Sequence, residues 1–452
     1  MFCCLYKWVD TGRDQMKLYL FESNTCVAAI LAFTAGILGC GSNNAIEDGS
    51  DTNQHDPEEA LTYVEVEGGE YPYCTEPEAS VDPDGDGWGQ QVISQEEETC
   101  VVEMGDMDPN APTVEKLGVA ENLVNDNAAE TTRAVYSYLK SVFGKQVLSG
   151  QQDLTWKDST DMFQRVVNDT GLAPAIMGYD FMNYTVADGQ GWSGLMQTGE
   201  AIAHWELGGL VTFNWHWRDP SGETLEFYTE STGFRIPMDG DQLDRESEAF
   251  AQMEADVDRI AQELKALQDA DVPVLWRPLH EASGGWFWWG ATRDDSVQPA
   301  DAQIALWKYL YDRLTNHHEL NNLIWVWNGA SADWYPGDRY VDIIGEDIYG
   351  DAQDYGSKLP KFNEAVEYPD SEDKMVALTE NGTIPHPDNI KEDGAWWLYF
   401  VTWNDGDSEE GVTNSSNFWT GEYYNEDAHK VEVYNHELVI TLDELPEFYS
   451  EN

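Results

Sequence analysis

The chain has 452 residues, with 24 Lys and Arg against 85 Asp and Glu, a formal net charge of −61. A surface this acidic repels nucleic acid and anionic membrane faces and favours a neutral substrate, and it fits a saline habitat, where screening over roughly 8 Å or less removes much of the self-repulsion. A hydrophobic content of 41% with 12% aromatics excludes wholesale disorder, and the length suits one large α/β barrel with small appendages.

The first forty residues read as a targeting segment, not a fold. Cys26 to Leu38 is an apolar run of 13 residues, too short to span a bilayer comfortably and right for a signal h-region. It ends in Ile37-Leu38-Gly39-Cys40, which is similar to a bacterial lipobox. That makes residues 1–39 the expected signal peptide, Cys40 the expected site of lipidation, and the outer membrane or cell surface of a Gram-negative bacterium the expected location. Plain secretion is the alternative. The n-region is sparse: Lys17 follows Met16, which offers an alternative start, and Glu22 intrudes.

Residues 40–73 are acidic and lack apolar periodicity, the composition of a linker. Beyond Cys40 the cysteines are Cys74 and Cys100. One even pair in an exported chain reads as one disulfide, closing a small segment over 74–101 and contributing roughly 3 kcal/mol where little core exists. Inside it, Asp82, Asp84 and Asp86 with Gly87 at the sixth place mimic the start of a calcium loop. The twelfth place is Ile93, so the bidentate glutamate is missing, and a structural spacer is the preferred reading.

From about Leu117 to residue 450, short apolar runs alternate with amphipathic stretches. The expected strands are Gln146–Ser149, Ala175–Tyr179, Leu210–Asn214, Pro273–Arg277, Leu323–Trp327, Asp342–Ile348, Met375–Thr379 and Trp397–Thr402. Near-continuous apolar runs suit a parallel sheet covered on both faces. Between the third and fourth, Phe250, Met253, Val257, Ile260, Leu264 and Leu267 follow helical spacing, and another helix is expected across Ala300–His317. Eight strands alternating with helices predict an α/β fold, a (β/α)8 TIM barrel.

Such a barrel carries its active site at the C-terminal strand ends. Those ends hold Gln151 and Gln152, Asp180, His216 and Trp217, His280 and Glu281, Trp327 and Asn328, Asp347 and Tyr349, Glu380, and Trp403. Polar and aromatic groups thus fall on one rim. Two glutamates among tryptophans are what glycoside hydrolysis needs: one carboxylic acid protonates the leaving oxygen, the other attacks or activates water, and aromatic faces hold sugar rings. Each glutamate alone would equally suit a buried, salt-bridged barrel carboxylate.

At these residues the chain resembles glycoside hydrolase family 26, (β/α)8 retaining enzymes dominated by β-mannanases, over roughly residues 127–410. The similar segments are Arg-Pro-Leu-His-Glu (277–281), Ser-Gly-Gln-Gln (149–152), Asn-Trp-His-Trp (214–217), Gly-Glu-Asp-Ile-Tyr (345–349) and Thr-Glu-Asn-Gly (379–382). The resemblance implies Glu281 as acid/base, Glu380 as nucleophile, and Tyr349 as the donor that keeps Glu380 aligned. It further implies sugar contacts from His216, Trp217, His280, Trp286 and Trp403. Asn404-Asp405 follow Trp403 where some relatives have a basic residue. The implied activity is a retaining endo-β-1,4-mannanase acting on mannan or another neutral β-glycan.

The alternatives are a β-1,3-xylanase or mixed-linkage glucanase of the same family, or a non-catalytic glycan-binding lipoprotein, against which the presence of both carboxylates speaks. His317-His318 has no evident third ligand, and no Gly-rich phosphate loop or basic patch occurs. No metal, cofactor or nucleic-acid partner is therefore expected, and the chain is expected to act as a monomer, tethered to the membrane by its lipid.

Overall fold

The computed structural model describes residues 117–155, 161–184, 197–371, 373–406 and 417–448, together with six short strands before them. The chain divides into two units, residues 1–82 with 87–103, and 83–86 with 104–452. In the first, Cys4–Asp10 pairs antiparallel with Met16–Glu22, Tyr63–Val66 with Gly69–Pro72, and Trp88–Ile93 with Glu96–Val101. The stretch expected to carry no fold thus contains a hairpin, built from β-branched and aromatic residues such as Tyr6, Trp8, Val9 and Tyr19 that favour extended backbone. Another hairpin falls within the stretch read as linker. The apolar run Cys26–Leu38, Cys40, Cys74 and the Asp82–Gly87 loop lie outside the described residues.

The second unit is a closed eight-stranded barrel in sequential order. Its strands are β1 (Gly150–Gln152), β2 (Ile176–Asp180), β3 (Leu210–Asn214), β4 (Val274–Arg277), β5 (Leu323–Trp327), β6 (Ile343–Ile348), β7 (Met375–Asn381) and β8 (Phe400–Thr402). All pair in parallel, and Thr402 opposite Gln151 closes the ring. Around it run α1 (Glu130–Val142), α2 (Met162–Thr170), α3 (Thr198–Glu206), α4 (Glu248–Asp269), α5 (Pro299–Tyr311), α6 (Leu359–Val366), α7 (Pro387–Asp393) and α8 (Asp427–Tyr434).

The first strand differs from expectation. Val147–Leu148 pair with Val439–Ile440 in a separate two-stranded sheet, Leu148 also bridges Tyr399 just before β8, and the barrel strand itself starts at Gly150. A Cβ at Gly150 would stand 2.4 Å from the Phe400 carbonyl, which only glycine avoids.

Helix α4 shows how pattern becomes packing. The Ser247 hydroxyl caps it by accepting from Phe250 N at 3.1 Å. Phe250, Met253, Val257, Ile260, Leu264 and Leu267 are all buried along one stripe. Truncating one of these leucines to alanine costs about 2–5 kcal/mol. The same stripe buries Asp256, which accepts from Trp217 Nε1 at 2.8 Å.

Between β6 and β7 the register slips by one residue. Glu346 faces Leu378, but Asp347 faces Glu380, and the β7–β8 pairing shows the same extra residue between Leu378 and Asn381. A bulge of this kind re-aims the side chains that follow it. Here it sets Asp347 and Glu380 side by side at the rim.

Candidate active site

Arg277, at the end of β4, is buried and donates to Asp347 Oδ2 at 2.8 Å and to Glu380 Oε1. Burial works against its charge, but Asp347 and Glu380 outweigh that and hold its proton more firmly than in water. Thr379, the residue at the bulge, donates to Asp347 Oδ1 at 2.6 Å. Its side chain occupies space that a Cβ on Gly345 would fill, at 2.7 Å.

Four residues beyond Arg277, the chain turns sharply. Leu279 and Glu281 both have φ of 53°, a left-handed conformation costly for residues with a Cβ. What holds it is Asn328 at the end of β5. Its Oδ1 accepts from Glu281 N at 2.8 Å, while its Nδ2 donates to the Gly345 carbonyl at 3.0 Å and to Thr379 Oγ1 at 3.3 Å. One side chain therefore ties together β5, β6, β7 and the turn bearing Glu281.

The result is a convergence of Glu281, Asp347 and Glu380, with carboxylate oxygens within 4.8 Å of one another. Among the described residues this is the group close enough to hold a metal ion, but Arg277 already supplies the neutralising charge. For retaining glycosidases the two carboxyl groups stand about 5–5.5 Å apart, against 6.5–9.5 Å for inverting ones. Here one oxygen of each glutamate comes within 4.8 Å of the other, on the shorter side of that division.

The two glutamates differ in their surroundings. Burial, then Asp347, pushes Glu380 up to about 7, and Arg277, His216 and the Tyr349 hydroxyl oppose the rise. Tyr349 donates to Glu380 Oε2 at 2.5 Å. Burial, Asp347 and Glu380 raise Glu281 well above the carboxylate range, against which stand the Trp286 indole N–H, at 2.7 Å from Oε2, and Arg277. Burial and neighbouring negative charge thus favour the proton on Glu281, and the two direct donors favour the charge on Glu380.

Trp286 is 49% exposed and lies flat over the backbone of Gly284, where a Cβ would stand 2.1 Å from its ring. Trp403 is half-buried, its ring 5.8 Å from that of His216. Both sit at the rim, as does Tyr349 at 41% exposure. His216 is held by Asp180, whose Oδ2 faces Nδ1 at 2.5 Å and whose Oδ1 accepts from the His216 backbone N–H at 3.0 Å. Its Nε2 stands 3.2 Å from Nε2 of His280.

Two of the residues expected to contact sugar are buried in this structure. His280 is 0% exposed, enclosed by His216, Phe287 and Trp289. Burial, with His216 and Arg277, lowers its pKa far below that of a free imidazole and keeps it neutral. It supports His216 instead of meeting solvent. Trp217 is likewise fully buried, stacked on Trp215 at 4.0 Å, donating to Asp256 and accepting from Trp288 Nε1 through its carbonyl. Trp288 and Trp289 are buried too. Alternation along Asn214-Trp215-His216-Trp217 carries the signal: the tryptophans share one face and His216 takes the other.

Asn404 and Asp405 also turn inward. Asn404 Nδ2 donates to the Asp153 carbonyl at 2.7 Å, and Asp405 pairs with Arg165 at 2.8 Å. The sequence places Asp180, Asn328 and Asp347 on the rim without a role and Arg277 only as the last residue of a strand. The charge-bearing partners are recognisable only once the strands are in register.

Residues 124–444 match the sequence pattern of glycosyl hydrolase family 26. A mannan endo-1,4-beta-mannosidase of Thermothelomyces thermophilus is 39% identical over 385 residues, covering 80% of this chain and 74% of the relative. Among solved structures, the Podospora anserina GH26-CBM35 beta-(1,4)-mannanase is 34% identical with a TM-score of 0.64, over 78% of this chain and 73% of that one. A beta-mannanase from a symbiotic protist of the termite Reticulitermes speratus, complexed with gluco-manno-oligosaccharide, is 33% identical with a TM-score of 0.61, over 73% and 99%. With its barrel, its paired glutamates and this extent of match, the chain belongs to glycosyl hydrolase family 26.

Proposed function

We propose that this chain is a retaining endo-β-1,4-mannanase, with Glu281 as acid/base and Glu380 as nucleophile. The observation that carries the reading is the approach of their carboxylates to within 4.8 Å, one protonated and one paired with Arg277 and Tyr349. In the first step Glu281 gives its proton to the glycosidic oxygen as a Glu380 oxygen bonds to the anomeric carbon, and the leaving chain departs with the electron pair of the broken bond. In the second, the Glu281 carboxylate takes a proton from water as that water attacks the anomeric carbon and releases Glu380. Two inversions retain the configuration. Mannan as substrate is supported by the names of the relatives, and internal cleavage by those names and by aromatic rings exposed along an open rim.

The reading is tested by product analysis on mannan, galactomannan, β-1,3-xylan and barley glucan side by side. Manno-oligosaccharides of mixed length from the first two support it. Products from xylan or glucan alone would overturn the substrate while leaving the chemistry.

The same proposal includes export with a lipid anchor at Cys40 and a Cys74–Cys100 disulfide, on the strength of the apolar run before Gly39-Cys40 and the even cysteine pair. One acyl chain binds a membrane only marginally, so several on one cysteine are required. Cys40→Ala should release the protein from membranes and abolish palmitate labelling; an unlabelled, soluble wild type would refute the anchor.

A further inference from the structure

Beyond the catalytic pair, a line of aromatic rings leaves Tyr349 and ends in open solvent. The Tyr349 ring centroid lies 5.2 Å from that of Phe418, Phe418 lies 4.6 Å from Tyr424, and Tyr424 lies 4.9 Å from Tyr423. Tyr423 is 44% exposed. A single exposed tyrosine needs no explanation, but two features set this one apart.

The first is continuity. The line starts at the tyrosine whose hydroxyl holds the nucleophile and proceeds in steps about the size of a sugar ring. The second is rigidity, which a loose surface loop would lack. Asn425 is buried; its Oδ1 accepts from Ile384 N at 2.8 Å, and its Nδ2 donates to the carbonyls of Gly382 at 2.8 Å and Phe418 at 2.9 Å. The segment is thereby pinned two residues past Glu380. Buried Lys430 donates to the carbonyls of Trp419 and Gly421, each at 3.0 Å. Asp405 Oδ1 accepts from Trp419 N and Thr420 N, each at 3.0 Å. On the other side, Gln353 donates from its backbone to the Tyr424 carbonyl at 3.0 Å and from Nε2 to the Glu422 carbonyl at 2.9 Å. The backbone that carries the exposed Tyr423 is thus fixed on both sides, so little main-chain freedom remains to be lost on binding.

We propose that Tyr423, backed by Tyr424 and Phe418, is a stacking platform for a distal sugar of the polysaccharide chain whose cleavage occurs at Glu380. A tyrosine ring offers an apolar face to the axial C–H bonds of a pyranose and a hydroxyl to its rim. The platform would favour long chains over short ones and so direct the enzyme to polymer. This rests on the glycan-hydrolase reading given above, but not on which sugar the chain contains.

The test is the ratio of kcat/KM for a hexasaccharide over a trisaccharide, measured in β-1,4-linked mannose, xylose and glucose series for wild type, Tyr423→Ala and Tyr423→Trp. For whichever series the wild type cleaves, Tyr423→Ala should lower this ratio about three- to ten-fold, the scale of one aromatic stacking contact, mainly through KM. Tyr423→Trp should restore it. A ratio unchanged in Tyr423→Ala, or an equal loss at both lengths, overturns the platform. A lowered ratio in a xylose or glucose series, with the mannose series uncleaved by the wild type, would sustain the platform while removing mannan as substrate. Cleavage of none of the three overturns both.

Discussion

Tyr349 donates its hydroxyl to Glu380 Oε2 at 2.5 Å while the residue remains 41% exposed at the rim. One residue therefore both positions the nucleophile and faces the space a sugar would fill. Tyr349→Phe should lower kcat by one to two orders of magnitude, since a hydrogen bond to a charged group contributes about 1.5–3 kcal/mol. The loss should also move the pH profile. The hydroxyl lowers the Glu380 pKa from where burial would set it, near the present value of about 7. Without it the pKa rises, more of Glu380 is protonated at a given pH, and the acid limb of kcat/KM shifts upward. An unshifted limb would mean that the hydroxyl does not act on Glu380.

Glu380→Ala and Glu281→Ala should each abolish most hydrolysis with the fold intact, and azide separates their roles. In Glu380→Ala, azide replaces the missing attacking group and gives a glycosyl azide of inverted configuration. In Glu281→Ala, azide attacks the glycosyl-enzyme, giving retained configuration. The opposite pairing of products, read by NMR, would exchange the assignments.

Asn328→Ala tests the pin beneath the acid/base. It removes the side-chain acceptor for Glu281 N and the donor to Gly345 O. Each buried hydrogen bond lost costs about 0.5–1.5 kcal/mol, Glu281 N keeps only the Asn328 backbone carbonyl as acceptor, at 2.7 Å, and the left-handed turn there loses a restraint. Activity should fall more than ten-fold because small misplacements of a proton donor are costly, together with a lower melting temperature. Asn328→Asp at low pH, where it can be neutral, should recover part of both. Full activity in Asn328→Ala would show that the backbone contact from Asn328 O suffices.

Glu346 lies beside the site in sequence but faces outward from the barrel, buried, with no protein partner for Oε1. Burial chiefly, with Asp347 and Glu364, pushes its pKa up to about 8, against Lys361. Its folded-state pKa exceeds its unfolded value, so the folded chain binds the extra proton between about pH 4.5 and 8. Stability falls as pH rises through that window. Glu346→Gln should raise the melting temperature at pH 9 and change it little at pH 5. A larger gain at pH 5 would contradict the sign.

How legible the site is from residues alone differs between its parts. Strands such as Leu323–Trp327 are readable because a parallel sheet buried on both faces requires unbroken apolar runs, and the polar residue ending each run marks the rim. Glu281 and Glu380 follow directly. The bulge at Thr379 does not, because an extra residue leaves no compositional trace in Met375–Asn381, yet it determines that Asp347 stands beside Glu380. Val147–Leu148 mislead in the opposite direction, being as apolar as a barrel strand while pairing along their length with Val439–Ile440. His280 and Trp217 look like rim residues by motif; their burial depends on Phe287, Trp289, Trp288 and Asp256, which approach from distant segments.

Cleavage of a β-1,4-mannan chain by Glu281 and Glu380 requires two successive inversions at the anomeric carbon. It is tested most directly by recording proton NMR spectra during the first minutes of mannohexaose hydrolysis, before mutarotation scrambles the new reducing ends. The β-anomer of the shorter manno-oligosaccharide product should appear first, with the α-anomer growing in afterwards. An α-anomer appearing first, or no hydrolysis of mannohexaose, would contradict it.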